Sequence, residues 1–133
     1  IEFNPDAAKS LDSGGCPYIQ YTYCRLGSIL KKAENYSDKF EVPDDISQVE
    51  KKILVVLSAF PNTVSEAMKS NSPHKIANML DSLTQLVNTF YQSQDVNKAP
   101  EPLKSFRVAL VKACQQVIRN ASDLLHFEMP ERM

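Results

Sequence analysis

The stretch that decides the fold is PYIQYTYCRLGSILKKAE, residues 17–34. Placed on a helix at ~100° per residue, it carries two separate stripes. The first spans about 80° and is apolar, which predicts a core-facing side. Its members are Ile19, Tyr23, Leu26, Leu30 and Ala33. The second spans about 60° on another side of the helix and is formed by Tyr18, Tyr21 and Arg25.

The second stripe presents two aromatic rings and a guanidinium together, away from the core-facing line. Such a set can stack on flat, partly anionic ligands, and unpaired nucleotides are the obvious class. Triplets of this kind also arise easily in amphipathic helices. The alternative is therefore that the tyrosines cover the edge of the core and the arginine is a solvated surface charge. The spacing alone leaves both interpretations open.

The composition narrows the class of protein. A chain of 133 residues suits one domain with a real core, and only three glycines favour helices. The formal net charge of -1 argues against a protein that coats polyanions diffusely, so any nucleic-acid contact must be local. The sequence has neither an 18-residue apolar run nor a signal-peptide pattern, which predicts a soluble, cytoplasmic protein. Cys16 and Cys24 would lie about 12 Å apart along one helix, too far to bridge, as expected in a reducing cytosol.

Helical periodicity recurs along the rest of the chain. Residues 1–16 are predicted to be an extended lead-in, and residues 17–133 a helical domain. Apolar side chains then recur at spacings of three and four, which is typical of helices that bury one face. No hairpin or alternating strand–helix pattern is present. The sequence predicts an all-α, antiparallel bundle of about five helices, with starts near Pro17, Ser47, Asn62, Ser72 and Leu103.

Local signals set several of these boundaries. Ser47 and Glu50 form a capping box, in which hydroxyl and carboxylate reciprocally accept from free amides. Pro61 is expected to end that helix. A short third helix would follow over residues 62–69, with Val64, Ala67 and Met68 inward. Ser72 is predicted to cap the next helix, with Pro73 at its first position.

The motifs of enzymatic chemistry are missing from these 133 residues. No glycine-rich phosphate loop and no Glu-x-x-His or Cys-x-x-Cys ligand pattern occurs. His74 and His126 are the two histidines, and neither has a neighbouring ligand or an orienting carboxylate in the sequence. We therefore expect no catalytic residue, no metal site and no bound cofactor in this part of the protein.

The C-terminal stretch LLHFEMPERM, residues 124–133, is the second informative feature. A terminal tail is normally frayed, so a disordered stub is one expectation. Phe127, Met129 and Met133 are apolar, however, and Pro130 stiffens the turn. The other expectation is a tail that folds back on the bundle.

The two ends together resemble arginyl-tRNA synthetases. The run SGGCPYIQYTYCR, residues 13–25, resembles the GPYxQYxxxR helix of that family, and MPERM at 129–133 resembles its PERM terminus. Between them, SPHKIA at 72–77, the pair Phe90-Tyr91, and RVALVKA at 107–113 resemble family segments in the same order. Residues 3–6, FNPD, resemble the strand and turn that precede this helix. The resemblance covers essentially the whole chain.

This resemblance implies a specific function. Arginyl-tRNA synthetases join arginine to its tRNA with ATP, and their catalytic domain with its HIGH-type signature lies upstream. The chain would then be the C-terminal all-helical anticodon-binding domain, which holds the splayed anticodon loop of tRNA(Arg) and does no chemistry itself. It would contact the upstream catalytic domain of the same protein and bind neither membrane nor metal. The positions that match anticodon contacts are Tyr18, Tyr21, Arg25, Tyr91 and Met133.

Other basic side chains could add contacts to an RNA backbone, although most charges on a bundle are simply solvated. The candidates are Lys31, Lys32, Lys104, Arg107, Lys112 and Arg119. A competing hypothesis needs no RNA. In it the chain is a non-catalytic protein-interaction bundle that docks a partner through residues 129–133 and an apolar groove.

Overall fold

Four α-helices build the described part of the molecule. The computed structural model describes residues 15–133, and the predicted lead-in lies almost wholly outside this range. The helices are α1 (Cys16–Lys32), α2 (Gln48–Lys69), α3 (His74–Ser93) and α4 (Leu103–Leu124). No strand occurs in residues 15–133. The prediction of an all-α helical bundle is confirmed, with four helices in place of about five.

The core forms where α1 packs on α3 and α4, and where α2 packs on α3. The apolar stripe predicted on α1 supplies Ile19, Tyr23 and Leu26 to it. The largest apolar side chains with almost no exposed surface are Leu26, Ile53, Leu80, Leu83, Phe90 and Ile118, drawn from all four helices. None of the described helices is long and apolar enough to cross a membrane.

The start of α1 lies one residue before the predicted one. Gly15 precedes the helix with φ 87°, a conformation that a side chain would strain, and Pro17 occupies the first turn without loss of a hydrogen bond. The helix ends at Lys32. Lys31 stands beside Lys32 in the last turn, where positive charge offsets the helix dipole.

The separate third helix predicted from Asn62 does not exist. Residues 62–69 continue α2, and Pro61 lies inside that helix on its exposed side. Proline removes one backbone hydrogen bond, but Phe60 and Val64 pack against the core on either side of it. Tertiary packing therefore keeps the helix continuous. Met68 is 76 % exposed, against the prediction that it points inward, whereas Ala67 is buried as expected.

The helix α3 begins one residue later than predicted. Its N-cap is Pro73, and the Ser72 hydroxyl donates to the carbonyl of Ser70 at 3.1 Å and makes no cap. The chain reverses at Asn71, whose φ of 49° is left-handed. In this tight turn the Ser72 side chain bonds to the preceding segment, so it does not cap the amides of α3.

The tail after α4 folds back onto α1. His126 has φ 61° and turns the chain, and the amide of Phe127 donates to the carbonyl of Ser122 at 3.1 Å. Gln20 Nε2 then donates to the carbonyl of Glu128 at 2.9 Å, and the Cys24 thiol to that of Pro130 at 3.2 Å. Two tail side chains, Phe127 and Met129, pack against the core. The fold-back alternative is therefore the one that the structure adopts.

Candidate nucleic-acid interface

A guanidinium between two tyrosine rings is the central feature of the surface formed by α1 and α3. The Cζ atom of Arg25 lies 4.8 Å from the ring centroid of Tyr21 and 4.1 Å from that of Tyr91. Cation–π contacts of this kind each stabilise by about 0.5–1 kcal/mol when exposed. We call Tyr21, Arg25 and Tyr91 the stacked triad.

Two helices position the triad. Tyr21 and Arg25 are four residues apart on α1, so their side chains meet on one face. Tyr91 lies in the last turn of α3, directly after the buried Phe90 that fixes the helix on the core. Tyr91 is 40 % exposed. The stripe predicted from the sequence thus lies on one face of α1, and the fold brings Tyr91, a candidate from the family resemblance, beside Tyr21 and Arg25 from a distant segment.

Arg25 is anchored as well as stacked. Its Nη1 donates to Oδ1 of Asn88 at 2.8 Å, and the residue is half-buried. Asn88 Nδ2 in turn donates to Thr22 Oγ1 at 2.8 Å and to the carbonyl of Thr84 at 2.9 Å. The interpretation of Arg25 as a freely solvated charge is therefore wrong, because fixed partners surround the guanidinium.

A pocket of about 240 Å³ opens beside the triad. A guanidinium has five N–H donors, and one arm of Arg25 serves Asn88, so other donors remain for a ligand. The outer face of the Tyr91 ring can take a stacked planar group. The size suits one planar ring with a few polar contacts. The lining residues are Arg25, Ser28, Ile29, Lys32, Tyr91, Gln94, Asp95, Val96 and Asn97.

Asn97 also lines this pocket, and sequence reasoning missed it. Its Oδ1 is buried without a hydrogen-bond partner among residues 15–133, while its Nδ2 donates to the carbonyl of Ile29 at 3.5 Å. Buried polar atoms are normally paired. No local pattern in the sequence marks Asn97, because its setting depends on contact with α1.

A buried ion pair holds the segment that forms one wall of the pocket. Arg107 Nε donates to Glu50 Oε1 at 2.7 Å, Nη1 to the carbonyl of Asp95 at 2.8 Å, and Nη2 to Gln94 Oε1 at 2.6 Å. Glu50 also accepts from the amide of Ser47 at 2.7 Å, which confirms the predicted capping box. One guanidinium thus ties α4, the start of α2 and the segment after α3 together.

The pKa of Glu50 reflects this setting. Burial raises it, but hydrogen bonds from Arg107 and from Ser47 outweigh burial, so the pKa lies below its ordinary value of 4.5. The carboxylate is therefore ionised opposite Arg107 at neutral pH. Since Arg107 is buried and each of its three side-chain nitrogens already donates a hydrogen bond within the protein, the prediction that it could contact an RNA backbone is wrong.

Two predicted contact residues, Tyr18 and Met133, lie outside the stacked triad. Tyr18 is half-buried on α1, one turn before Thr22, whose hydroxyl donates to the Tyr18 carbonyl at 2.9 Å. Met133 ends the folded-back tail and is 61 % exposed. Neither belongs to the stacked triad or lines its pocket. Their role in ligand binding stays a prediction.

The other basic candidates divide by location. Lys31 and Lys32 are exposed at the end of α1, and Lys32 lines the pocket. Lys112 stacks on the Tyr36 ring at 4.6 Å. Arg119 Nη1 donates to the Tyr23 hydroxyl at 3.4 Å. Among the described residues no group of three or more His, Cys, Asp or Glu side chains could hold a metal ion.

Fold and surface together define a helical binding module that presents aromatic rings and a fixed guanidinium beside a small polar pocket. Comparison with known protein families identifies the family of this module. Residues 19–133 match the DALR anticodon binding domain, and the chain belongs to this family.

Individual relatives agree with that assignment. The chain is 34 % identical over 137 residues to an arginine–tRNA ligase of Pyrococcus abyssi, a match that covers all of the chain and 22 % of the relative. It is 36 % identical over 132 residues to one from Methanococcus maripaludis, covering 98 % of the chain and 23 % of the relative. The fold matches the solved Thermus thermophilus arginyl-tRNA synthetase with a TM-score of 0.87 and 31 % identity, over all of the chain and 24 % of that protein. The chain thus spans about a quarter or less of these relatives.

Proposed function

We propose that this chain binds the anticodon loop of tRNA(Arg) as the anticodon-binding part of an arginine–tRNA ligase. The observation that carries the proposal is the stacked triad, in which an anchored guanidinium lies against two tyrosine rings. Two of its members, Arg25 and Tyr91, line a pocket sized for one planar group. Unpaired loop bases offer π-faces and free hydrogen-bonding edges, which are the groups that such a surface recognises. The family and the relatives support the same ligand.

The parent protein would ligate arginine to its tRNA with ATP in the cytoplasm. In this proposal the catalytic domain and its ATP site lie elsewhere in the longer protein, and the fragment itself catalyses nothing. Tyr18 and Met133 would extend the contact along α1 and the tail. With a net charge of -1 on the chain, binding by the fragment would be weak and strongly salt-dependent.

Replacing Tyr21 by alanine should weaken binding of the anticodon stem-loop by about 1–3 kcal/mol, because it removes one stacking platform. The measurement is a titration of a labelled tRNA(Arg) anticodon stem-loop into each protein at fixed low salt. The matched control is Tyr36→Ala, which removes an exposed tyrosine that stacks on Lys112, away from the triad. That variant should bind as the unaltered chain does.

The outcome also separates the two candidate functions. Equal binding by the Tyr21→Ala and Tyr36→Ala proteins would show that the triad does not hold the RNA. A protein-interaction bundle would give no salt-dependent shift of tRNA on a native gel at all. A shift that is lost as salt rises is what the RNA-binding proposal requires.

A further inference from the structure

A directed series of hydrogen bonds leads from the backbone of α1, through α3, to the guanidinium of Arg25. The Thr22 hydroxyl donates to the Tyr18 carbonyl, and Asn88 Nδ2 donates to the Thr22 oxygen at 2.8 Å. The second Nδ2 proton goes to the carbonyl of Thr84 at 2.9 Å. Arg25 Nη1 then donates to Asn88 Oδ1 at 2.8 Å.

The donors and acceptors allow only one orientation of the Asn88 amide. The hydroxyl proton of Thr22 is committed to a carbonyl, so its oxygen offers only lone pairs to Asn88. The carbonyl of Thr84 is likewise an acceptor. Both therefore require the NH₂ end of the amide, and Oδ1 must face Arg25. A flipped amide would set its NH₂ group against the guanidinium donors and its oxygen against the Thr84 carbonyl.

Neither Asn88 nor Thr22 can contact a ligand directly. Asn88 is 7 % exposed and Thr22 is fully buried between α1 and α3. Any influence on binding must therefore pass through Arg25. A long arginine side chain would otherwise lose much of its freedom on binding, and a side chain already held in its bound orientation avoids that loss.

We propose that Asn88 is a positioning residue, which with Thr22 fixes Arg25 between Tyr21 and Tyr91 in the orientation that RNA binding uses. This inference rests on the proposed function. It assigns no contact with RNA to Asn88 or to Thr22. It also explains why a polar side chain interrupts the buried face of α3, between the core residues Val87 and Phe90.

The test is a double-mutant cycle of Asn88→Leu and Arg25→Ala, read by titration of the anticodon stem-loop. Leucine keeps about the size of the side chain and removes the amide. Asn88→Leu alone should weaken binding about tenfold, the effect of one hydrogen bond to a charged group. In the Arg25→Ala background it should have no further effect, because nothing remains to be positioned.

The salt dependence of binding gives a second readout. It distinguishes a misplaced Arg25, which keeps its charge, from the loss of that charge. Asn88→Leu retains the charge of Arg25, so the slope of affinity against salt should stay that of the unaltered chain while affinity falls. Thr22→Val, which removes only the hydroxyl, should weaken binding in the same sense by a smaller factor. A thermal melt of each variant sets a temperature at which all are folded, and if Asn88→Leu does not fold, Thr22→Val decides.

Two results would overturn the inference. One is binding by Asn88→Leu, or by Thr22→Val in its place, that equals the unaltered chain. The other is an equal loss with and without Arg25, since that would show a general effect on the fold. Should the unaltered chain fail to bind the stem-loop, the proposed function falls and the inference with it. If Arg25→Ala loses binding but Asn88→Leu and Thr22→Val keep it, the proposed function stands and only the inference about Asn88 is overturned.

Discussion

Replacing Arg107 by methionine is expected to lower the free energy of unfolding by about 3–5 kcal/mol, the cost of leaving a buried charge without its partner. Glu50 has no exposed surface, and Arg107 supplies its contact from α4 at 2.7 Å. The same change leaves Gln94 and the Asp95 carbonyl without their donor. The measurement is urea unfolding at pH 7, compared with the unaltered chain.

Lys112→Met is the matched control for this prediction. It lies on the same helix and also removes one positive charge, but its partner Asp38 is exposed at 3.6 Å. Exposed pairs contribute about 0–1 kcal/mol, so the control should stay close to the unaltered chain. Equal stability of the two variants would mean that the buried pair does not hold the fold together.

The pH dependence of the free energy of unfolding tests the same ion pair through the ionisation of Glu50. Since the folded-state pKa of Glu50 lies below 4.5, its contribution to stability is complete above that pH and is lost as the pH falls through the folded-state pKa. Without Arg107, burial of Glu50 would be opposed only by the hydrogen bonds from Ser47, so the pKa of Glu50 would rise relative to the unaltered chain. The stability difference between the Arg107→Met protein and the unaltered chain should therefore narrow as the solution is acidified from pH 7 to about 4.

Sequence periodicity predicted the helices well because it records which side of each helix is buried. The apolar stripe of α1 and the start of α4 at Leu103 followed from spacing, and the capping box of Ser47 and Glu50 from a local motif. The prediction that Pro61 ends a helix was wrong because it used only the local tendency of proline to break helices. The packing of Phe60 and Val64 on either side of it depends on the whole fold. Local patterns do not contain that packing.

The candidate site was predictable only in part for a related reason. Tyr21 and Arg25 share one helix face, so spacing alone brings them together. Asn88 lies 63 residues from Arg25 along the chain, and Glu50 lies 57 residues from Arg107. Pairings over such distances leave no periodic signal in one sequence. The sequence alone therefore does not distinguish Arg107, which is buried in an ion pair, from Arg25, which lines the pocket.

Arg25 is the residue whose loss should affect RNA binding most. Its guanidinium contacts both tyrosines of the triad and lines the pocket. Arg25→Ala should weaken binding of the anticodon stem-loop at least about tenfold, as expected when a charged hydrogen-bonding group is lost. If it contacts one phosphate, the slope of log affinity against log salt should also become shallower by about 0.7.

Two further variants separate charge from geometry in that loss. Lys69→Ala removes one positive charge from the last turn of α2, outside the candidate contact residues, and should bind nearly as the unaltered chain does. Arg25→Lys keeps the charge but lacks the planar group that stacks between two rings, so it should recover the salt slope and only part of the affinity. Full recovery by lysine would show that charge alone is used. Unchanged binding by Arg25→Ala would place the RNA on another surface, because no other side chain joins the rings of α1 and α3 to the pocket in the described part of the chain.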